Sequence, residues 1–134
     1  MGTKGAVVAC LLVAWPLGAC GTADRERDVA AVAQRFHAAL EGGDGRAACA
    51  ELSEETASKL EQQEKEPCEK AILAVELPKG GGVGATGVYV QSGYASLTEG
   101  GTDFLSNGPD GWTISAAGCQ PRGSEQPYEC ELEG

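Results

Sequence analysis

Apolar residues recur every third and fourth position over residues 23–41, which predicts a first helix with one buried face. Gly42 and Gly43 end this pattern, since glycine readily adopts the backbone conformation that closes a helix. Asp44 and Ser53 can each cap a following short helix. Pro67 fits the first turn of a fourth helix. This part of the chain is therefore expected to form four helices. The apolar face of the first helix carries Val29, Val32, Ala33, Phe36 and Leu40.

The composition changes after a glycine-rich link at residues 79–84. Residues 86–91, 94–98, 102–106 and 112–117 are rich in strand-forming side chains and are separated by short Gly, Asn and Pro turns, which predicts four strands. Helices followed by an antiparallel meander define an α+β fold and exclude an alternating βαβ order. We expect the N-terminal helices to pack on a sheet of about four strands. The tail from residue 118 is expected to be irregular unless a disulfide closes it.

The N-terminal segment has one charge, at Lys4, followed by 15 uncharged and largely apolar residues. A helix of that length spans roughly 22 Å, which is too short for a hydrocarbon core of about 30 Å and is typical of a signal peptide. The residues Leu17-Gly18-Ala19-Cys20 closely resemble the lipobox of bacterial lipoproteins. The resemblance implies cleavage behind Ala19 and a diacylglycerol thioether on Cys20. A secretory signal that merely ends in cysteine is the alternative, and Cys10 follows a weaker match.

This resemblance divides the chain into a signal peptide (residues 1–19), a lipidated cysteine with a short tether (20–22) and a single extracytoplasmic α+β domain (23–134). Four cysteines remain in that domain, and an even count in an exported protein suggests two disulfides. Three pairings exist; proximity in sequence favours Cys49–Cys68 and Cys119–Cys130, the second closing the C-terminal tail. Free thiols are the alternative, and the absence of a C-x-x-C spacing argues against zinc.

Charge and composition exclude several functions. The net charge of −10, with no cluster of Lys or Arg, argues against a nucleic-acid partner. A single His disfavours a His-rich metal site, and we expect neither a metal nor a cofactor. The acidic residues of the third helix are interleaved with lysines, which is typical of a solvated surface.

The whole domain resembles small actinobacterial lipoproteins with a nuclear-transport-factor-2-like (cystatin-like cone) fold. The resemblance rests on the order of elements, on Gly111-Trp112-Thr113-Ile114 at the end of a hairpin, and on Gly118-Cys119 after it. It implies a curved, cone-like antiparallel sheet. The family includes isomerases, polyketide cyclases, dehydratases and binding proteins, so the resemblance by itself does not select a function.

Two groups of residues are candidates for chemistry. His37, the only imidazole, can pair with Asp103 on the third strand, and in related cone-fold enzymes a pocket His or Asp acts as general base. The alternative is a half-exposed His beside the apolar stripe. Tyr89, Tyr94 and Trp112 can line a ligand pocket at the mouth of a cone, or pack within the sheet.

The sequence therefore favours a lipoprotein anchored through Cys20 to the extracytoplasmic face of the cell membrane, with no enzymatic activity. Its domain is expected to bind a membrane-protein partner or a small hydrophobic ligand. The alternative is a cone-fold isomerase, cyclase or dehydratase that uses His37 and Asp103. A cone filled by Phe36, Phe104 and Trp112 would argue against that alternative.

Overall fold

The computed structural model describes Gly2 and residues 20–134; apart from Gly2, the predicted signal peptide lies outside the described residues. Four helices are followed by five strands. The helices are α1 (Cys20–Glu41), α2 (Gly45–Ala50), α3 (Glu54–Glu64) and α4 (Cys68–Ala74), and the strands are β1 (Val83–Tyr89), β2 (Ser92–Leu97), β3 (Thr102–Gly108), β4 (Gly111–Cys119) and β5 (Leu132–Glu133).

The helix ends follow from local hydrogen bonding. The Asp44 carboxylate accepts from the backbone N–H of Ala47 at 3.0 Å, and the Ser53 hydroxyl accepts from that of Thr56 at 3.1 Å. Both side chains thus satisfy backbone donors that a helix start leaves unpaired, as the sequence predicts. Residues 20–22, which the lipobox resemblance assigns to a lipidated cysteine and a short tether, begin α1.

The strands form one antiparallel sheet in the order β1-β2-β3-β4-β5. The prediction of an α+β fold with helices and an antiparallel sheet is confirmed, but the sheet is uncurled and has five strands where about four were expected. The additional strand is β5, which pairs Ala116 with Glu133 and Ala117 with Leu132. Its two residues carry no alternating pattern long enough to be read from sequence.

The core lies between the helices and one face of the sheet, which we call the inner face. Phe36 is fully buried on α1, Ile72 on α4 and Ile114 on β4. Glycine permits the closest approach of the layers: a Cβ on Gly93 would lie 2.9 Å from Val29 Cγ2 and 3.2 Å from Trp112 Cζ3. The inner face of β2 therefore needs glycine where α1 and Trp112 meet it.

Two disulfides, Cys49–Cys68 and Cys119–Cys130, tie the periphery to this core. These are the two pairings that proximity in sequence favours. The first joins α2 to the start of α4, and the second joins the end of β4 to the C-terminal tail. The tail is thereby held beside β4, which explains why it contributes a strand.

Candidate functional site

His37 and Asp103 meet between the helices and the sheet. His37 lies on the inward side of α1, and Asp103 lies on the inner face of β3, opposite Ala95 of β2. The imidazole Nε2 is 2.6 Å from the Asp103 Oδ2, and the two side chains are 1% and 0% exposed. The structure thus brings together the two residues that the sequence offers as an acid–base pair. It does not place His37 half exposed at the edge of the apolar stripe.

Backbone groups complete the hydrogen bonding of this buried pair. The Nδ1–H of His37 donates to the carbonyl oxygen of Pro78 at 2.6 Å. The N–H of Gly118 donates to Asp103 Oδ1 at 3.3 Å. Both ring nitrogens and both carboxylate oxygens therefore have partners. Four segments of the chain meet at the pair: α1, the link before β1, β3 and β4.

Burial by itself lowers the pKa of His37, because an imidazolium is costly to remove from water. The hydrogen bond and the negative charge of Asp103, together with the Pro78 carbonyl, act in the opposite direction, and the net effect is a raised pKa. Since Nδ1–H is committed to Pro78, the direction of this shift favours a second proton on Nε2, donated to the carboxylate. The pair is buried and hydrogen-bonded, and the Asp103 carboxylate stabilises the protonated form of His37.

The pair is poorly placed to act on a substrate. A cleft of about 600 Å³ is lined by Pro78 and Gly118, but neither His37 nor Asp103 lines it. A general base must come within hydrogen-bonding distance of the proton it removes, directly or through one water. Pro78 and Gly118, whose backbone groups bond to the pair, line this cleft, whereas the imidazole of His37 and the carboxylate of Asp103 do not. The arrangement joins the helices to the sheet.

The three aromatic residues predicted to share a pocket are divided between the two faces of the sheet. Trp112 is 9% exposed and belongs to the core, with the Arg25 guanidinium 5.3 Å from its ring centre. Tyr89 is 81% exposed and Tyr94 is 41% exposed. Tyr94 lies on the outer face, where its ring covers Gly87 of the neighbouring strand. Trp112 therefore packs in the core, as in the alternative to a pocket role, whereas Tyr89 and Tyr94 remain accessible to solvent.

An aromatic row crosses the outer face, and we call Tyr94, Phe104 and Tyr128 the outer aromatic row. Tyr94 and Phe104 are direct partners across β2 and β3. Phe104 and Tyr128 pack edge to face, with ring centres 5.2 Å apart. Open clefts of about 380 Å³ and 400 Å³ lie on either side of Phe104, the first reaching Tyr94 and the second reaching Tyr128. This accessible apolar surface can hold a ligand or a partner.

The sequence did not identify Phe104 and Tyr128 as members of this row. Phe104 was considered beside Phe36 and Trp112 as a residue that could fill a cone, but it points to the outer face and is only partly buried. The alternation along β3 contains the signal, since the neighbours of Phe104, Asp103 and Leu105, are both buried. Placing Tyr128 beside it requires the Cys119–Cys130 disulfide.

Cys20, the predicted site of lipid attachment, is the first residue of α1. Of the helices described, none is both long enough and apolar enough to span a bilayer. Across the described residues, no three His, Cys, Asp or Glu side chains cluster in a way that could hold a metal ion. Comparison of the chain with protein families, with curated proteins and with solved structures gives no match.

Proposed function

We propose that the chain is a lipoprotein held on the extracytoplasmic face of the cell membrane by a lipid on Cys20, and that its domain acts by binding and not by catalysis. The observation that carries the binding function is the outer aromatic row. Tyr94 and Tyr128 are 41% and 45% exposed, and they flank Phe104. Among the described helices, only Glu26 of α1 lines either of the two clefts beside Phe104. Exposed tyrosines are common anchors of protein interfaces, because they bury a large area with few rotatable bonds.

Support for the anchor comes from the lipobox-like residues 17–20 and from the disulfides. Disulfides persist in proteins exposed to an oxidising environment and are rare in the cytosol. Two of them in a domain this small agree with export across the membrane. Two acyl chains would hold the domain stably on a bilayer, where a single chain gives only marginal binding.

A partner protein suits the row better than a small molecule does, and a membrane protein would lie within reach of an anchored domain. The clefts beside Phe104 are open, whereas ligand pockets of about 300–1,000 Å³ usually enclose most of their ligand. A small hydrophobic ligand is the second candidate, favoured by the cleft of about 380 Å³ at Tyr94. No nucleic acid is proposed, because the net charge is −10.

The proposed relationship to lipoproteins with a nuclear-transport-factor-2-like domain rests on the order of elements, four helices followed by an antiparallel meander. The uncurled sheet departs from the cone of that family. The alternative function, a cone-fold isomerase, cyclase or dehydratase, needs substrate to reach His37 and Asp103. The exposure of these side chains, 1% and 0%, gives that alternative less support than binding receives.

Mass spectrometry of the full chain, produced in a bacterium that processes lipoproteins, tests the anchor. We expect an N-terminal peptide that begins at Cys20 and carries the mass of a diacylglycerol. Cys20→Ser should abolish that modification, and Cys10→Ser, the matched control, should leave it unchanged. A mature protein with an unmodified Cys20 would contradict the anchor.

Site-specific photo-crosslinking in the same cells tests the binding surface. A benzophenone amino acid replaces Tyr94 in one sample and Leu73 in another. Leu73 is a matched control because it is 39% exposed but lies on α4, on the helical side of the molecule. We expect a discrete protein adduct from position 94 and none from 73; a ligand would instead appear as added mass on the purified protein. Equal adducts at both positions, or neither adduct nor added mass, would contradict the proposal.

A further inference from the structure

The β1–β2 hairpin ends in an exposed, uncharged tip, which we define as Tyr89, Val90 and Gln91. Tyr89 is 81% exposed and Val90 is 64% exposed, the two largest exposures among the large hydrophobic side chains of the described residues. Val90 and Gln91 form a two-residue turn between the paired residues Tyr89 and Ser92. An aromatic and a branched aliphatic side chain therefore project together into solvent.

Val90 occupies this turn at a conformational cost. Its φ is 54°, a left-handed value that a two-residue hairpin requires at its first central residue and that Gly, Asn and Asp adopt most easily. A β-branched residue with positive φ is a genuine outlier, and outliers of this kind concentrate at functional positions. An exposed valine contributes nothing to the core that would offset the strain. A contact with another molecule therefore explains the apolar side chain at this position better than folding does.

The tip lies at the end of the molecule where α1 begins. The Arg25 guanidinium donates a hydrogen bond to the carbonyl oxygen of Val90 and also lies over the ring of Trp112. Arg25 follows Cys20 by five residues, a rise of about 7.5 Å along the helix. The opposite end of α1 is remote from the tip, since Glu41 lies beside Gly80 in the link before β1.

We propose that the tip inserts into the headgroup region of the bilayer that holds the lipid of Cys20, an inference that rests on the proposed anchor. The headgroup region is roughly 5–8 Å thick on each side of the hydrocarbon core. An axial separation of about 7.5 Å therefore places the tip at the outer part of this region when Cys20 lies at its inner edge, beside the hydrocarbon core, and α1 runs along the membrane normal. Tyrosine is enriched at this depth because its ring is apolar and its hydroxyl is polar. Val90 adds apolar area beside it.

The charge distribution defines what kind of membrane contact this is. The tip itself carries no charge, and the charges beside it are of both signs: Arg25 bonds to Val90, Glu26 lines the cleft next to Tyr89, and Arg27 is paired with Asp24. The chain as a whole has a net charge of −10, so it gains nothing from anionic lipids. The contact is therefore interfacial and apolar, and we expect it to be insensitive to salt. It fixes the orientation of the domain: a lipid alone would leave the domain free to tumble, whereas a second contact near the anchor restrains it.

Photo-crosslinking of the full-length chain in membranes tests the inference. A benzophenone amino acid is placed at position 89, 91 or 128, one position per protein, and phospholipid adducts are counted by mass spectrometry after irradiation. Position 128 is the matched control, because Tyr128 is 45% exposed but lies near the Cys119–Cys130 disulfide at the other end of the sheet. We expect several-fold more phospholipid adduct at 89 and 91 than at 128, with no change between low and high salt.

Each outcome decides the question. Equal phospholipid adducts at 89, 91 and 128 in a lipidated protein would overturn the inference and leave the anchor intact. Adducts to a protein at position 89, in place of phospholipid, would also overturn it and would identify the tip as a protein interface. If Cys20 carries no diacylglycerol in the same mass spectra, the proposed anchor fails and this inference fails with it. Thermal unfolding of each labelled protein confirms that the substitution leaves the domain folded.

Discussion

Asp103→Ala removes the carboxylate that pairs with the buried imidazole of His37. The variant leaves Nε2 without a partner in a site that is 1% exposed, and it also leaves a void where the side chain was. Removing one member of a buried ion pair costs about 3–5 kcal/mol, because the imidazole left behind must either stay charged in the interior or give up its proton and keep Nε2 unpaired. Domains are stable by about 5–15 kcal/mol, so this loss is a large fraction of the total. For a domain of this size we expect the melting temperature to fall by roughly 10–25 °C.

The same pair predicts how stability depends on pH. The pKa of His37 is lowered by burial but raised overall by Asp103 and the Pro78 carbonyl. A folded-state pKa above the unfolded value means that this stabilisation is fully present below about pH 6.5 and is lost as pH rises through the folded pKa. In Asp103→Asn the charge is gone and the amide can donate to a neutral imidazole. Burial then dominates, and the contribution of His37 should reverse, so that stability is lost as pH falls.

Thermal unfolding followed by circular dichroism between pH 5 and pH 9, with the disulfides intact, measures both effects. The informative quantity is the difference between the native and Asp103→Asn profiles, because groups common to both cancel. We expect the stability advantage of the native protein to shrink as the pH rises. A cost below about 1 kcal/mol for Asp103→Ala would fit a solvent-screened pair and would refute the reasoning. An advantage that grows with pH would refute the raised pKa of His37.

Three further predictions concern the backbone and the disulfides. Gly45→Ala should destabilise the domain by about 3 kcal/mol or more in urea unfolding, because the added Cβ would overlap a backbone carbonyl of α4. Gly42→Ala is the control: its Cβ makes only an ordinary contact at 3.5 Å, so stability should change by less than about 1 kcal/mol. Val90→Gly should raise the melting temperature by a few degrees, since it relieves about 1 kcal/mol of left-handed strain; an unchanged or lower value would contradict the strain. Replacing Cys49 and Cys68 together by Ser opens a loop with a sequence separation of 19 and should cost about 3 kcal/mol by denaturant unfolding, whereas an unchanged midpoint would assign that bridge no stabilising role.

The helices could be predicted from sequence because their determinants are local. The apolar stripe of α1 and the caps at Asp44 and Ser53 each involve residues three or four positions apart. The bounds of strand β1 were harder to predict from sequence. It begins at Val83, inside the segment read as a glycine-rich link, because pairing with Leu97 recruits a residue that its own sequence does not commit to a strand.

The sites could be predicted only in part, since burial depends on contacts that are distant in sequence. The sequence suggested that His37 and Asp103 could pair, but the two are 66 positions apart and no local pattern reveals that the pair is sealed from solvent. Tyr94 was named as a candidate pocket residue, with packing in the sheet as the alternative, whereas its neighbours in the outer aromatic row were missed. The position of Tyr128 beside Phe104 depends on a disulfide and on a two-residue strand, neither of which periodicity can detect.

The way in which β4 is bordered has a consequence for self-association. Ile114 exchanges backbone hydrogen bonds with Glu51 and Ser53 between α2 and α3, while the carbonyl of Ser115 accepts from Gly134 and the next residues pair with β5. These two separate segments cover the edge that β4 would otherwise present. Unpaired strand edges are templates for pairing with another chain. Since the Cys119–Cys130 disulfide holds β5 in place, reduction would expose the part of the β4 edge that β5 covers and let two copies of the chain pair strand to strand.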